Sequence, residues 1–381
     1  MDFELTEKQK SFRSTIRSLA EEGLRRYTQG LDRLVDHSEE IIKWLSELKV
    51  MGIAVPEEYG GSGLDHVSDA LALMEVARLC GTIGAMMTAH SLYCSTVMSY
   101  GSHEQKMKYL KPCASGEELG CCALSEADSG SDITGLSITS IKHDHEWVID
   151  GEKQFVTNGN ISSYCVTAAV GLNEEGKKTI SFFVIDLKSL RGIRRGRVTD
   201  QKDISPFGAS ELVFENVKVS EAAHLSKRDD GFGRMLSPLD TARVGIASLA
   251  VGIGRAILEE SLTYAKAKEQ FGKPIASLQA VQWKLADMAT ELDAAELMTL
   301  KAAWLNDNRK PFQKEAAMAK MYASDVTMRA ATEGAQILGG HGYGNRHAVD
   351  RFMREAKICQ IYAGTNESMR LLVAENLVKG K

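Results

Sequence analysis

Apolar positions recur every three to four residues from the first turns of the chain. In "MDFELTEKQKSFRSTIRSL", Phe12, Ile16 and Leu19 fall at helical spacing, and Thr6 with Gln9 has the spacing of a capping box just ahead of them. Ala72, Val76 and Leu79 keep the helical period, which the glycine turn "EEYGGSGLDH" interrupts. Near residue 120 the texture changes. "EWVIDGEKQFVTNG", "TISFFVIDL" and "ELVFENVKV" are short β-branched or aromatic runs separated by Gly, Asn and Asp, which predicts strands. From about residue 229 the helical period returns. Val244 to Leu258 is apolar on nearly every face and predicts a helix buried all round, while Leu285, Met288, Leu292 and Ala295 trace an amphipathic one. Only Pro238, Pro274 and Pro311 punctuate this block, so its helices can be long. The pattern predicts a mainly α chain with a middle β domain: helical residues 1–119, β residues 120–228 and a helical bundle over 229–381.

Composition narrows the partners more than the fold. A chain of 381 residues is too long for one comfortable core, so subdomains sharing internal interfaces are expected. A net charge of -5 without a Lys/Arg block argues against nucleic acid. No run of about 18 uncharged apolar residues is present, so no membrane partner is expected. The N-terminus does not read as a signal peptide. Cys80, Cys94, Cys113, Cys121, Cys122, Cys165 and Cys359 form no Cys-x-x-Cys; their odd number fits a reducing, cytoplasmic setting with buried thiols.

The candidate chemistry lies in separated short motifs. "CALSEADSGSD" (Cys122 to Asp132) could hold a polar ring edge or a phosphate through backbone N–H groups and hydroxyls, although a solvated turn has the same composition. "FVTNGN" places Phe155 and Thr157 before an Asn-Gly turn, which alone reads as a hairpin end. "YAKAKEQFGKPIASLQAVQWKLADM" joins two helices through Gly272 and Pro274, and "GAQILGGHGYG" ends a helix in a Gly-Gly that permits close backbone approach. His143 and His145 lie in "IKHDHEW" without further ligands at hand, so no metal site is expected.

In their order, and together with "LDTARVGIA" and "IYAGTNES", these motifs resemble the acyl-CoA dehydrogenase family over the whole chain. The resemblance implies an N-terminal helical domain, a β-barrel-like middle domain and a C-terminal four-helix bundle, in a homotetramer that binds FAD. It implies an acyl-CoA thioester substrate, with a proton removed beside the thioester carbonyl and hydride passing to flavin N5. Electrons would leave to an electron-transfer flavoprotein.

Residue by residue, the resemblance implies flavin contacts from Cys122, Leu124, Ser125, Phe155 and Thr157, and contacts to both FAD and CoA from Ser131. Phe155 stands where the family has tryptophan, which keeps an aromatic face and loses the indole donor. Lys268, Phe271, Gln279, Gln336, Gly339 and Gly340 would line the FAD of a neighbouring subunit, and Thr365 and Glu367 would reach the cofactor. Lys268 replaces the family's arginine, keeping the charge without the bidentate fork. Asp240 and Arg243 match the Asp-x-x-Arg that meets CoA, and Tyr93, Tyr362 and Gly364 would contact the substrate.

One departure decides the chemistry to be asked about. The glutamate that serves most members as base is Ala363 here, and the other position where some members carry it is Ala242. A methyl group cannot accept a proton. Three readings follow: an FAD-binding chain without oxidation, a changed flavin chemistry such as monooxygenation, or a relocated base; conventional α,β-dehydrogenation of a saturated aliphatic or alicyclic acyl-CoA, by a base elsewhere in the chain, stands as the alternative to them. The third resembles the cyclohex-1-ene-1-carbonyl-CoA dehydrogenases of anaerobic aromatic and alicyclic acid metabolism. These carry out a 1,4-elimination with an aspartate on the N-terminal helical domain. Its position in "MMTAHSLYCSTV" corresponds to Ser91, which is no base without an activator. Nearby, His90 and Tyr93 read as packed or hydrogen-bonded residues, and in the 122–132 loop Glu126 and Asp128 read as structural.

Overall fold

The opening helix forms as its cap predicts. Thr6 N–H donates to Gln9 Oε1 at 3.0 Å and Gln9 N–H donates to Thr6 Oγ1 at 3.3 Å, and α1 then runs Glu7–Leu24. The structure is a computed structural model in which residues 4–24, 37–172, 176–198, 209–225, 236–343 and 348–379 are described. The expected boundary near residue 228 lies outside the described residues.

After α1 come α2 (Ser38–Glu47), α3 (His66–Leu79) and α4 (Gly81–Tyr100), then two single turns, α5 (His103–Gln105) and α6 (Lys111–Ala114). The β segment holds β1 (Gly120–Ala123), β2 (Thr139–His143), β3 (Glu146–Val156), β4 (Tyr164–Leu172), β5 (Lys178–Asp186), β6 (Ile193–Val198) and β7 (Ser210–Ser220). The C-terminal helices are α7 (Leu236–Ala267), α8 (Gln279–Asp307), α9 (Gln313–Leu338), α10 (Ala348–Cys359) and α11 (Asn366–Lys379). Between α7 and α8 a small hairpin pairs β8 (Glu269–Gln270) with β9 (Lys273–Pro274).

The chain forms two compact units, and neither is continuous in sequence. One comprises residues 1–29, 66–85 and 243–381; the other comprises residues 30–65 and 86–242. The N-terminal helical segment is thus divided: α1 and α3 pack in the unit of the C-terminal helices, while α2 and most of α4 belong with the β segment.

In the β-containing unit the sheet order is β1-β4-β2-β3-β7-β6, with β5 pairing antiparallel along β4. Helical residues Tyr93, Cys94 and Val97 share one core with Val166, Ala168, Phe182 and Val184 of β4 and β5. β4, "YCVTAAVGL", went unmarked in the sequence because it is buried nearly throughout and so shows no alternation.

In the other unit α7 is the central helix. Val251, Ile253 and Ile257 on it are fully buried, each contributing about 1.5–3 kcal/mol of transfer free energy before ordering entropy is counted. Its Ser237–Ala267 stretch is long and apolar enough to cross a bilayer, but 78% of that window is buried inside the protein, as befits a core helix. Two helix N-termini here are capped from far away in sequence. Asp307 accepts from the His66 and Val67 N–H groups at the start of α3, and Glu355 accepts from Thr82 N–H at the start of α4. The second cap needs Gly81, whose Cβ would lie 2.6 Å from a Glu355 carboxylate oxygen.

A buried ionic network ties α1, α3, α7 and α8 together. Arg13 donates to Glu75 at 2.7 Å and to Glu296 at 2.9 Å. Arg78 bonds Glu75 at 3.4 Å, Glu259 at 2.8 Å, and Glu21. Arg255 bonds Glu296. Glu75 is almost wholly buried between two guanidinium groups, so removing its charge leaves them under-compensated. Glu75→Gln is expected to lower the unfolding free energy by about 3 kcal/mol. Chemical denaturation of the two proteins measures this, and an unchanged midpoint contradicts it.

Candidate active site

In the β-containing unit, a buried lysine organises the loop that enters the sheet. Lys153 on β3 is fully buried, and its ammonium donates to the Leu124 carbonyl at 2.9 Å and to Glu126 Oε1 at 2.7 Å. The Glu126 carboxylate also accepts from Ser137 N–H at 2.7 Å and Ser137 Oγ at 2.6 Å. Although burial opposes its ionisation, the bonds from Lys153 and Ser137 hold Glu126 below the usual carboxylate range. Burial likewise lowers the Lys153 pKa. Glu126 is therefore the loop's anchor, as expected, and not a proton acceptor.

This arrangement brings several expected flavin contacts together. Gln154 N–H donates to the Ser125 carbonyl at 2.9 Å, so Leu124 and Ser125 lie against the end of β3. At that end the pairing of β3 with β7 slips between Lys153 and Val156. Phe155 takes up the slip with φ of 55°, and its ring stands 55% exposed. A left-handed, exposed aromatic is an unfavourable choice for packing alone. Thr157 is half-buried beside it, and Ser131 is exposed on the loop. Cys122 is half-buried, and burial pushes its thiol pKa well up, so it stays protonated.

Ser91 is half-buried on α4. His90, its neighbour, is committed elsewhere. Gly120 N–H donates to His90 Nδ1 at 3.0 Å, which leaves Nε2 to donate to the Cys113 carbonyl at 3.1 Å. Burial lowers its pKa to about 4, so the ring is neutral at pH 7 and activates nothing. The expected substrate contact from Tyr93 does not fit its position. Tyr93 is fully buried in the core, with its hydroxyl donating to the Tyr109 carbonyl at 3.1 Å. Its apolar ring closes against Gly120, where a Cβ would sit 2.3 Å from it.

In the other unit, α10 leads into the turn that carries Ala363. Ala363 has φ of 52° and Gly364 has φ of 98°. A left-handed alanine costs about 1 kcal/mol or more, so the turn needs support. Arg243 Nε donates to the Ala363 carbonyl at 3.4 Å. Lys320 on α9 donates to the carbonyls of Gln360 at 3.1 Å and Gly364 at 2.6 Å, and to Asn366 Oδ1 at 2.9 Å. Asp325 accepts from Gln360 Nε2 at 2.6 Å and Asn366 Nδ2 at 2.7 Å. Arg243, Tyr362, Ala363, Gly364, Thr365 and Glu367 are thus gathered around one turn, with Tyr362 and Thr365 half-buried and Glu367 exposed. Lys320 and Asp325 carried no motif and went unread. Asp240 and Ala242, buried on the first turns of α7, fall in the β-containing unit.

A third cluster lies at one end of the helical bundle. Phe271 and Gly272 form the tip of the β8–β9 hairpin with φ of 53° and 76°, and the Phe271 ring is 90% exposed. Two successive positive φ angles define a turn that favours Asn-Gly, so an exposed phenylalanine there is strained. Lys284 pairs with Glu333, and the Tyr264 and His341 rings lie 6.0 Å apart. Lys268, Gln279, Gln336, Gly339 and Gly340 are all exposed.

The family models match along the chain in order. The acyl-CoA dehydrogenase N-terminal domain matches residues 6–117, the middle domain residues 121–217 and the C-terminal domain residues 229–378. The chain belongs to the acyl-CoA dehydrogenase family. It is 42% identical to the probable acyl-CoA dehydrogenase YngJ of Bacillus subtilis over 381 residues, all of both chains. Butyryl-CoA dehydrogenase from Megasphaera elsdenii superposes with a TM-score of 0.95 at 35% identity, over 99% of this chain and all of that one. A chain in a structure of the electron transferring flavoprotein of Acidaminococcus fermentans gives 0.94 at 35% identity, over all of both chains. The chain accordingly has the family fold, as expected from the motifs, and is an oxidoreductase acting on CH–CH groups with FAD.

The residues present fit that cofactor. A Cβ on Gly130 or Gly340 would meet nothing within 4 Å, so packing within the chain requires no glycine at either point. A group from outside approaching the backbone would require both. Leu124, Ser125, Phe155 and Thr157 would hold its ring.

Two outcomes follow. Glu126→Gln breaks the Lys153 pair without changing shape and is expected to weaken FAD retention about 10-fold, in line with about 1.5 kcal/mol for a charged hydrogen bond. Equilibrium dialysis reads this, and unchanged retention contradicts it. His90 has a folded pKa below its unfolded one, so its contribution to stability is full above about pH 6.5 and is lost as pH falls toward about 4. Urea midpoints should drop over that window in the wild type and drop less in His90→Asn.

Proposed function

We propose that this protein oxidises a CoA thioester whose acyl group already carries an α,β double bond in a ring. On this reading it converts cyclohex-1-ene-1-carbonyl-CoA to the 1,5-diene by 1,4-elimination. The observation that carries the proposal is the alanine at both base positions: Ala363 in the turn held by Arg243 and Lys320, and Ala242 on α7. A methyl group at 363 accepts no α proton, which suits a substrate whose acidic hydrogen is at the γ carbon.

The chain's own residues then have definable tasks. Asp240 and Arg243 meet the CoA portion, and Ser131 meets CoA from the loop after β1. The turn at Tyr362–Gly364 orients the acyl group. Phe155, with its exposed face, excludes water from the ring. Bound FAD supplies the hydride acceptor. Ser91 marks the side from which the γ proton leaves, and its hydroxyl, lacking an activator in His90, would position a water that accepts this proton and passes it to solvent.

The family's homotetramer and an electron-transferring flavoprotein as acceptor complete the proposal. The exposed Phe271 and the 61% exposed Trp283 at the end of the bundle support an association that covers them. A second reading is α,β-dehydrogenation of a saturated short acyl-CoA, which the likeness to a butyryl-CoA dehydrogenase favours.

Anaerobic titration of the flavin absorbance with cyclohex-1-ene-1-carbonyl-CoA, cyclohexanecarbonyl-CoA and butyryl-CoA decides between them. Bleaching by the unsaturated ring alone, accelerated about 100-fold or more in Ser91→Asp as expected for a positioned general base, supports the elimination. Bleaching by butyryl-CoA supports the second reading, and bleaching by none overturns both. Ala363→Glu is expected to raise reduction by cyclohexanecarbonyl-CoA about 100-fold through the restored carboxylate. No gain with thioester still bound would mean that residue 363 does not face the acyl group.

A further inference from the structure

Lys320 is 0% exposed, yet it is not paired with any carboxylate in a direct ion pair among the described residues. Its ammonium spends all three protons on the Gln360 carbonyl, the Gly364 carbonyl and Asn366 Oδ1. These acceptors bracket residues 361–363. With three donated bonds, the nitrogen has no lone pair for a substrate proton, so Lys320 is not itself the missing base.

We propose that Lys320 is a positioning residue for the dehydrogenation, closing the 360–366 turn on one ammonium and so fixing the left-handed Ala363 beside Arg243. The proposal rests on the reading of this turn as the active-site wall. Its physical basis is that a strained alanine persists only where the surroundings over-determine it. Two carbonyls four residues apart, drawn to one cation, supply that constraint. Asn366 extends it to α11, because its Nδ2 donates to Ser324 Oγ at 2.9 Å and Asp325 Oδ1 at 2.7 Å. Removing the cation would strip the Gly364 carbonyl of the ammonium, while the Gln360 carbonyl would keep Asn366 N–H at 3.0 Å and Asn366 Oδ1 would keep Ser324 Oγ at 3.2 Å.

The same geometry makes the turn sensitive to pH. Burial brings the Lys320 pKa down to about 8. Facing it are Arg243 of α7, which lowers the value further, and Cys359 of α10, Asp325 of its own helix and Glu367 of α11, which raise it. A neutral amine has two protons for three acceptors, so above that pH the turn loses a bond and its left-handed conformer loses support.

The test compares wild type, Lys320→Met and Lys320→Arg as FAD-loaded proteins, using whichever thioester reduces the wild-type flavin. In Lys320→Met, kcat/KM at pH 7 is expected to fall about 100-fold, the loss lying in kcat, since misplacing a reacting group by about 1 Å costs that much. In the wild type kcat/KM should decline above about pH 8, and Lys320→Arg, which stays charged, should show no such limb. Amide exchange at Ala363, Gly364 and Thr365, corrected for hydroxide, should accelerate over the same range in wild type only.

A wild-type profile flat from pH 7 to about 9.5, or a Lys320→Met protein with kcat/KM within about 2-fold of wild type, overturns the proposal. Should a variant fail to fold, the wild-type profile and amide exchange together decide, because neither needs a substitution. If no thioester reduces the wild type, the active-site reading itself falls and takes this role with it. A reducible wild type with a flat profile removes only the role of Lys320.

Discussion

Removing a lysine ammonium from water costs several kcal/mol unless each of its protons finds an acceptor. Both units of this protein contain one such ammonium, and in each the acceptors include backbone carbonyls of a loop that bears family motifs. Lys153 holds Leu124 and Glu126, and Lys320 holds Gln360, Gly364 and Asn366. A carbonyl bonded to a buried cation cannot rotate toward solvent, so both loops are fixed from beneath. The same economy explains why neither lysine is free to take a proton.

Fixing the loops from beneath also permits strain above. Phe155, Phe271 and Ala363 all adopt positive φ without being glycine. Two of them are aromatic and expose much of their rings. Intrachain packing rewards neither exposed aromatic, whereas Ala363 is half-buried against the helical core. Strain held by a rigid support and directed at open space is what a preorganised binding surface requires. The ionic network across α1, α3, α7 and α8 has a different task, since it binds the first helix of the chain to helices more than two hundred residues away.

Much of the fold was legible from spacing. The capping box of α1, the all-apolar centre of α7 and the strands β3, β5 and β7 carry local signals that tertiary structure left standing. β4 and β1 were not legible as strands, because burial on both faces removes alternation. The expected role of Tyr93 failed for a related reason. A tyrosine on an apolar helix reads the same whether its hydroxyl faces a pocket or, as here, the carbonyl of Tyr109 in the core. Lys320 and Glu355 went unseen because each acts on backbone groups distant in sequence, and Asp325 because it meets the distant side-chain amides of Gln360 and Asn366; such partners leave no residue pattern.

The sequence by itself determined the family, the cofactor class and the alanines at positions 363 and 242, since all three are questions of which side chains occur in which order. Tertiary structure alone decided that His90 is a neutral core group, that α1 belongs with the C-terminal helices, and that two buried ammonium groups hold the loops. The reason is physical: identity and spacing are properties of the chain. Protonation, strain and positioning depend on desolvation and on partners that only folding brings within hydrogen-bonding distance.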